Sequence, residues 1–408
     1  MKLLTFIGVN NYNETTYRWQ EHTYRSRFVA EALAEWFTAE SVVVFLTAQA
    51  KQHANWQEFQ QRVQHRHLVP VDIPDVNGEQ DMWRIFDQVV KQVQEGEHIA
   101  LDITHAFRFL PMLILTVGAF LRVTKNVQIE HIFYGQYVPG QAESPVIDMV
   151  LLLSLLDWAA ATQRLRETGD ARWIGRTLKD THRELWKTRA AQPSALYQAG
   201  KDLETLSQAL HLARSQEAMK AAESLRKNLE GAPDEIAEWA KPFALLLEEV
   251  KEQTEHLAHS DTDTLDAKHL RKQLYFIGQL VEYGLTLQAA QMAREWVVNW
   301  AIWYREGCGT LQKEQWLGQD VRQKVEDELN KAFPSTKQHR DPAPLKWLEN
   351  SKMNDLLKQL WSDVLPDLRN DLAHCGMRTN PRSLQALQKQ TEQYLSQLQE
   401  LIHLSSSD

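Results

Sequence analysis

Five short apolar runs, each rich in β-branched or aromatic residues, recur through the first third of the chain and constrain its fold more than any other feature. They are LLTFIGV (Leu3–Val9), VVVFLT (Val42–Thr47), LVPVDIP (Leu68–Pro74), HIALDIT (His98–Thr104) and IEHIFYG (Ile129–Gly135). Segments of helical spacing fill the gaps. Arg25–Phe37 carries Phe28, Leu33, Trp36 and Phe37, Met82–Val93 follows the third run, and Pro111–Arg122 follows the fourth. Strand runs separated by helices of this length predict an α/β domain, a parallel sheet with helices on both faces. Ligands of such domains sit beyond the carboxyl ends of the strands.

After Leu151 the strand signals stop. Residues from about 155 to 265 are rich in Ala, Leu, Glu, Gln and Lys, and QPS (Gln192–Ser194) and EGAPDE (Glu230–Glu235) read as helix boundaries. HSDTDTLD (His259–Asp266) reads as a linker or turn. A helical pattern resumes at Leu270, with Leu274, Ile277, Val281 and Leu285 on one face, and a proline-bearing loop (Phe333–Leu345) leads to the final helices. At 408 residues the chain exceeds one ordinary core, so an all-α C-terminal region follows the α/β domain.

Apolar content of 43% and charged content of 24% are those of a soluble globular protein. The longest apolar runs, Leu110–Leu121 and Val146–Leu156, fall short of the roughly 18 residues needed to span a bilayer. The start MKLLTFIGVN has no basic region or cleavage site, so a cytoplasmic protein with no membrane partner is expected. Cys308 and Cys375 form no CxxC pair, which argues against a disulfide framework or a structural zinc site, and no metal is expected. A net charge of −9 excludes a surface that coats nucleic acid, so any such contact is local.

Two stretches carry candidate chemistry. LDITHAFRFLP joins a strand to a helix and puts Asp102, Thr104, His105 and Arg108 where an α/β sheet presents its ligand face. A hydroxyl, an imidazole, a guanidinium and a helix N-terminus suit phosphate or nucleotide recognition. The loops GVNNYNETTY (Gly8–Tyr17) and TAQAKQHANW (Thr47–Trp56) are placed to join them. Asp102 and Thr104 fit equally well as caps of the next helix, with His105 a satisfied turn residue. Neither GxGxxG nor GxxxxGK[ST] occurs here, which disfavours a dinucleotide cofactor or a P-loop. The second stretch is RNDLAHCGMR, with Arg369 and His374 five positions apart. It fits a plain helix end with Gly376 past the terminus, and it also offers an imidazole and a guanidinium close together in sequence. Lys337, Arg340, Lys346, Arg378 and Arg382 make this end basic, Glu295 is a candidate partner for Arg369, and Cys375 reads as a small packed residue.

D-x-T-H-x-x-R after a strand, followed by a proline, resembles the DxTHGxR signature of CRISPR-associated sensor ribonucleases that join a CARF domain to a HEPN domain. Tyr12, Tyr17, the Tyr134–Gly135 pair and LLDWAAATQRLRETGD (Leu155–Asp170) fit the same family, and Arg369 to His374 has the Arg-x4-His spacing of HEPN ribonucleases. Ala106 stands where the signature has glycine, which puts the loop geometry at that point in question. The resemblance implies a Rossmann-like CARF domain over 1–155, a helical linker domain over 156–265 and a HEPN domain over 266–408. It implies that Thr104, His105 and Arg108, with Gly8, Asn10 and Thr47 as weaker contacts, bind cyclic oligoadenylate as an allosteric activator. No other cofactor is implied. Arg369, Asn370 and His374 would then be catalytic in a metal-independent endoribonuclease acting on single-stranded RNA in type III CRISPR antiviral defence, and Arg378 would help hold the RNA. The site would be composite across a homodimer, with higher oligomers open, and would leave 2′,3′-cyclic phosphate and 5′-hydroxyl ends. A non-catalytic CARF sensor or adaptor, and a sensor that also degrades its ligand, are the competing readings.

Overall fold

A computed structural model of the chain describes residues 1–106, 109–188, 195–231, 233–334, 342–377 and 379–405. Arg108, Arg378, Lys337, Arg340 and the QPS boundary lie outside them. The described residues form two compact units, Met1–Asp157 and Trp158–Asp408.

The first unit is built on the five runs named above. They become β1 (Lys2–Phe6), β4 (Ser41–Leu46), β5 (His67–Asp72), β6 (His98–Asp102) and β7 (Gln128–Gly135), with β2 (Thr15–Trp19), β3 (His22–Ser26) and β8 (Glu143–Asp148) added. The eight strands form one sheet in the order β3-β2-β8-β7-β6-β1-β4-β5. From β7 to β5 every neighbouring pair is parallel. Side chains of successive residues point to opposite faces, so a strand covered on both sides is apolar throughout. β1 and β4 follow that rule: Leu3, Val42 and Val44 pack with Phe28, Leu33 and Phe59 on one face. Leu4, Val43 and Phe45 pack with Ile85, Ile114 and Val117 on the other. Pro70 can sit in β5 because that strand is the sheet edge, where a missing N–H faces no partner.

The expected all-parallel sheet needs one correction. β8 runs antiparallel to β7, and β3 antiparallel to β2, so the whole sheet is mixed. The end of the expected polar loop, Thr15–Tyr17, opens β2, and Arg25 and Ser26 of the expected Arg25–Phe37 helix close β3, so the helix is Val29–Trp36. Trp19 pairs with His22, leaving a two-residue turn in which Gln20 adopts φ 52°. Such a turn requires a positive φ, which Gly, Asn or Asp usually supplies, so Gln20 hides the hairpin from a sequence reading.

The second unit is helical throughout, apart from an isolated bridge between Leu265 and Leu311. Two apolar cores hold it. One gathers Trp158, Ile174, Leu203, Leu225 and Phe243. There the helices Arg172–Thr188 and Leu196–His211 meet at glycines: a Cβ at Gly175 would collide with the carbonyl oxygen of Gly200. The other surrounds the helix Thr286–Arg305, whose Trp296 and Trp300 are fully buried. Their indole N–H groups donate to Leu270 O and Ser405 Oγ, both at 2.9 Å, so these large side chains add apolar area without an orphaned donor. Among the described residues, no helix is long and apolar enough to cross a membrane.

Candidate functional site

Beyond the carboxyl ends of β1 and β6, Asp102 organises the chain. It is fully buried, accepts from the Thr5 hydroxyl at 2.6 Å and accepts from the Thr104 N–H at 2.9 Å. The Thr104 hydroxyl in turn accepts from the Gly135 N–H at 2.8 Å. Asp102 and Thr104 therefore tie β1, β6 and β7 together. Neither caps the next helix, Leu110–Lys125, whose first turn has no side-chain cap. Burial raises the Asp102 carboxyl, against the lowering pull of its bonds from Thr104 and Thr5. Ala106 does not adopt a positive φ, so alanine is unstrained at that position.

His105 stacks on Tyr12, ring centroids 3.9 Å apart. The Tyr12 hydroxyl accepts the Gly8 N–H at 2.8 Å, and a Cβ at Gly8 would lie 3.2 Å from that oxygen. Asn55, a buried residue the sequence reading did not single out, donates to Gly8 O at 3.0 Å and Asn10 O at 2.8 Å. Gly8, Asn10, Thr104 and His105 are thus brought together by Tyr12, Asn55 and Asp102. Both backbone groups of Gly8 are engaged internally, which leaves it a shaping role, whereas the Asn10 side chain is exposed. Thr47 stands apart. Its buried hydroxyl accepts from Ala50 N–H at 3.3 Å as the cap of a short helix, and it lines a separate cavity of about 210 Å³ with Ile73, Pro74 and Phe109.

Burial pushes the His105 imidazole down to about 4, and its Nε2 is buried without a hydrogen-bond partner. Above about pH 6.5 the ring is neutral whether folded or unfolded and contributes nothing to pH dependence. Between about pH 6.5 and 4 only the unfolded chain takes up the proton, so stability falls with pH by up to about 3 kcal/mol. His105→Gln is expected to lose less stability on acidification than the parent. Urea unfolding at pH 7 and pH 5 checks this; identical losses would contradict it.

In the second unit Arg369 lies on the helix Leu365–Ala373, after a π-helical stretch, Gln359–Val364. Pro366 explains that irregularity, because proline has no N–H to donate and its ring clashes with the carbonyl four residues back. Arg369 has no hydrogen bond or ion pair among the described residues, and it lines two cavities. One, of about 430 Å³, includes Asn330, Lys331, Trp361 and Asn370. The other, of about 550 Å³, includes Arg214, Arg294 and Glu295. Glu295 does not pair with Arg369: its carboxylate is held by Arg322 at 2.5 Å and Arg294 at 3.2 Å. His374 is exposed and lines neither of these cavities. Arg369 lies in the last turns of the helix, and His374 is the residue at its C-terminal cap.

The helix ends in a Schellman motif: Gly376 N–H donates to Asp371 O at 3.0 Å and Cys375 N–H to Leu372 O at 3.1 Å. Cys375, not Gly376, is therefore the first residue past the cap, and it is exposed with φ 53° rather than packed. A side chain in that region costs about 1 kcal/mol, so Cys375→Gly is expected to stabilise the second unit by about that amount. A higher urea midpoint checks it; a lower one would contradict it. Lys346 is exposed, and the Arg382 N–H donates to Asp371 Oδ2 at 3.0 Å. Among the described residues, no group of three or more His, Cys, Asp or Glu side chains is placed to hold a metal ion.

A Rossmann-like domain with a polar cluster at its strand ends, followed by an all-helical region, is the architecture of this chain. The comparisons make it specific. The family model for the CARF domain of CRISPR system endoribonuclease Csx1 matches residues 2–137. The model for the second domain of CRISPR-associated protein MJ1674 matches residues 154–260. Two segments of the chain thus match domains of CRISPR-associated proteins, the first of them a CARF domain. CRISPR-associated protein MJ1674 of Methanocaldococcus jannaschii is 27% identical over 110 residues, which is 26% of this chain but only 17% of that relative's length. Among solved structures, Enterococcus italicus Csm6 bound to cyclic hexa-2'-fluoro-hexa-dAMP aligns over 99% of this chain and 93% of its own. With 13% identity and a TM-score of 0.39, that likeness is too loose to bear on function.

Proposed function

We propose that the chain is a cyclic-oligoadenylate-activated, metal-independent endoribonuclease that cuts single-stranded RNA at a composite site of two copies. What carries this reading is the Arg369 guanidinium, unpaired among the described residues, open to two cavities and five residues ahead of an exposed His374, in a chain whose N-terminal domain matches that of an endoribonuclease family.

The chemistry needs only these side chains. His374 takes the proton of the RNA 2′-hydroxyl, whose oxygen attacks the adjacent phosphorus. Arg369 stabilises the charge on the phosphorane through charge-assisted hydrogen bonds, and Asn370 orients the phosphate. The bond from phosphorus to the 5′-oxygen breaks, and that oxygen takes a proton from the second copy's His374. A 2′,3′-cyclic phosphate and a 5′-hydroxyl remain. Two copies are favoured because the reaction needs a base at the 2′-oxygen and an acid at the 5′-oxygen, and each copy supplies one His374 imidazole.

At the other unit, cyclic oligoadenylate would bind over the strand ends, with Thr104, His105 and the exposed Asn10 as contacts. Activation requires that the ligand favour the arrangement in which the two sites align. The test is cleavage of end-labelled single-stranded RNA in EDTA, with and without cyclic tetra- or hexa-adenylate. Ligand-dependent cutting with products that carry free 5′-hydroxyls is expected. No cutting with either ring would favour a non-catalytic sensor, and disappearance of the ligand itself would add the degrading activity.

A further inference from the structure

The helix Gln319–Ala332 contributes Asp327, Asn330 and Lys331 to the wall of the cavity of about 430 Å³ that also contains Arg369. Residues three and four apart on a helix share a face, so one carboxylate and two donor side chains stand side by side there. The volume lies within the range of about 300–1,000 Å³ usual for a small-molecule site.

The orientation of Asn330 is fixed. Its side-chain oxygen accepts from the Trp361 indole N–H at 3.0 Å, and an indole N–H can only donate. The Asn330 amide nitrogen is therefore a pure donor, and it has no acceptor among the described residues. Trp361 is backed in turn by the Arg294 guanidinium, 5.0 Å from the ring centre, and Arg294 is held by Glu326 at 2.7 Å. Asp327 accepts from Gln323 Nε2 at 3.0 Å through one oxygen, which leaves the second oxygen open. Asp327 and Lys331, although four residues apart, form no ion pair with each other or with any other described residue, so both charges stay available to a ligand.

A carboxylate beside a fixed donor discriminates between nucleobases. Unpaired RNA bases are read by hydrogen bonds on their Watson–Crick edges. Guanine presents two adjacent donors, N1–H and the N2 amino group, that match the two oxygens of a carboxylate, and its O6 acceptor lies beside them. Asp327 complements the donors, and the Asn330 amide complements O6. Lys331 offsets the charge that Asp327 places near an anionic ligand. Adenine and cytosine each carry an acceptor ring nitrogen beside the amino group, and that nitrogen would meet the carboxylate. Uracil has one donor, N3–H, flanked by two carbonyl oxygens, one of which would face Asp327.

We propose that Asp327, Asn330 and Lys331 form a guanine-selective pocket, which holds a guanine base of the RNA next to the phosphate at Arg369 and so sets where the strand is cut. This rests on the nuclease reading for RNA as the ligand. The three residues select the base and take no part in the chemical step.

The test uses the full chain carrying His374→Ala, which leaves the RNA intact, and fluorescent oligouridine RNAs with one central guanosine, adenosine, cytidine or uridine, followed by anisotropy. The guanosine RNA is expected to bind about five- to tenfold more tightly than the other three. Asp327→Asn changes an exposed side chain to one of nearly the same shape, so the fold is kept and unchanged circular dichroism confirms it. It should reduce the guanosine preference to about twofold or less, because an amide cannot accept from both donors. Inosine, which lacks only the N2 amino group, should cost the parent about threefold against guanosine and cost the Asp327→Asn protein nothing. Asn330→Asp keeps the bond from Trp361 but faces O6 with a second acceptor, and should also abolish the preference.

Equal binding of the four RNAs by the parent would overturn the pocket, as would a guanosine preference that survives Asp327→Asn, or a parent that binds no RNA. The nuclease reading is judged separately, by cleavage with His374 present. A protein that prefers the guanosine RNA through Asp327 but never cuts it keeps the pocket and loses the nuclease. One that cuts RNA with no base preference, or with a preference that Asp327→Asn leaves unchanged, does the reverse.

Discussion

Replacing His374 with alanine is expected to lower ligand-activated RNA cleavage by about 10²- to 10⁴-fold, the usual contribution of a positioned acid–base group. The side chain is exposed at a helix end, so its removal should leave the melting temperature of the second unit unchanged. Arg369→Ala should cost a comparable amount, about 10²- to 10³-fold, because a dipole or charge aimed at the developing phosphorane acts only in the transition state. Arg369→Lys should not rescue it, since an ammonium cannot give the paired, planar donors of a guanidinium. Product analysis by gel with saturating cyclic oligoadenylate measures all three. Cleavage that survives His374→Ala would remove His374 from the chemistry.

The second large effect concerns Asp102. Asp102→Ala leaves the Thr5 hydroxyl and the Thr104 N–H without their acceptor in the interior of the first unit. Two orphaned donors cost about 2–5 kcal/mol together, and the loop that presents Thr104 and His105 loses its anchor. Activation by cyclic oligoadenylate should disappear. Asp102→Asn should behave differently: its oxygen still accepts from Thr104, and its amide donates to a Thr5 hydroxyl that turns to accept. Burial already disfavours the charge of Asp102, so the neutral amide should keep both stability and activation. Urea unfolding and ligand titration check this. An Asp102→Asn protein that folds normally but binds no ligand would show that the carboxylate itself meets the ligand.

What the sequence made legible follows physical range. The five parallel strands are local apolar runs, and their periodicity identifies them before any contact is known. β2 and β3 escaped because Gln20 fills a turn position that glycine or asparagine usually marks. Motif residues such as Thr104 and Arg369 were found by spacing, but their surroundings were not. Asn55 reaches Gly8 across 47 positions, and Arg322 holds Glu295 across 27, so no local pattern announces either contact. The Tyr12–His105 stack is intermediate: both residues belong to the motif resemblance, and only the fold places their rings together.

The composite nature of the site is open to one direct measurement. Wild-type and His374→Ala chains, mixed in varied proportions and allowed to exchange, are assayed for RNA cleavage at saturating cyclic oligoadenylate. If each site needs both copies, activity falls with the square of the wild-type fraction, to about one quarter at equal mixing. A linear fall, to about one half at equal mixing, would mean that each copy cuts alone and would contradict the composite site.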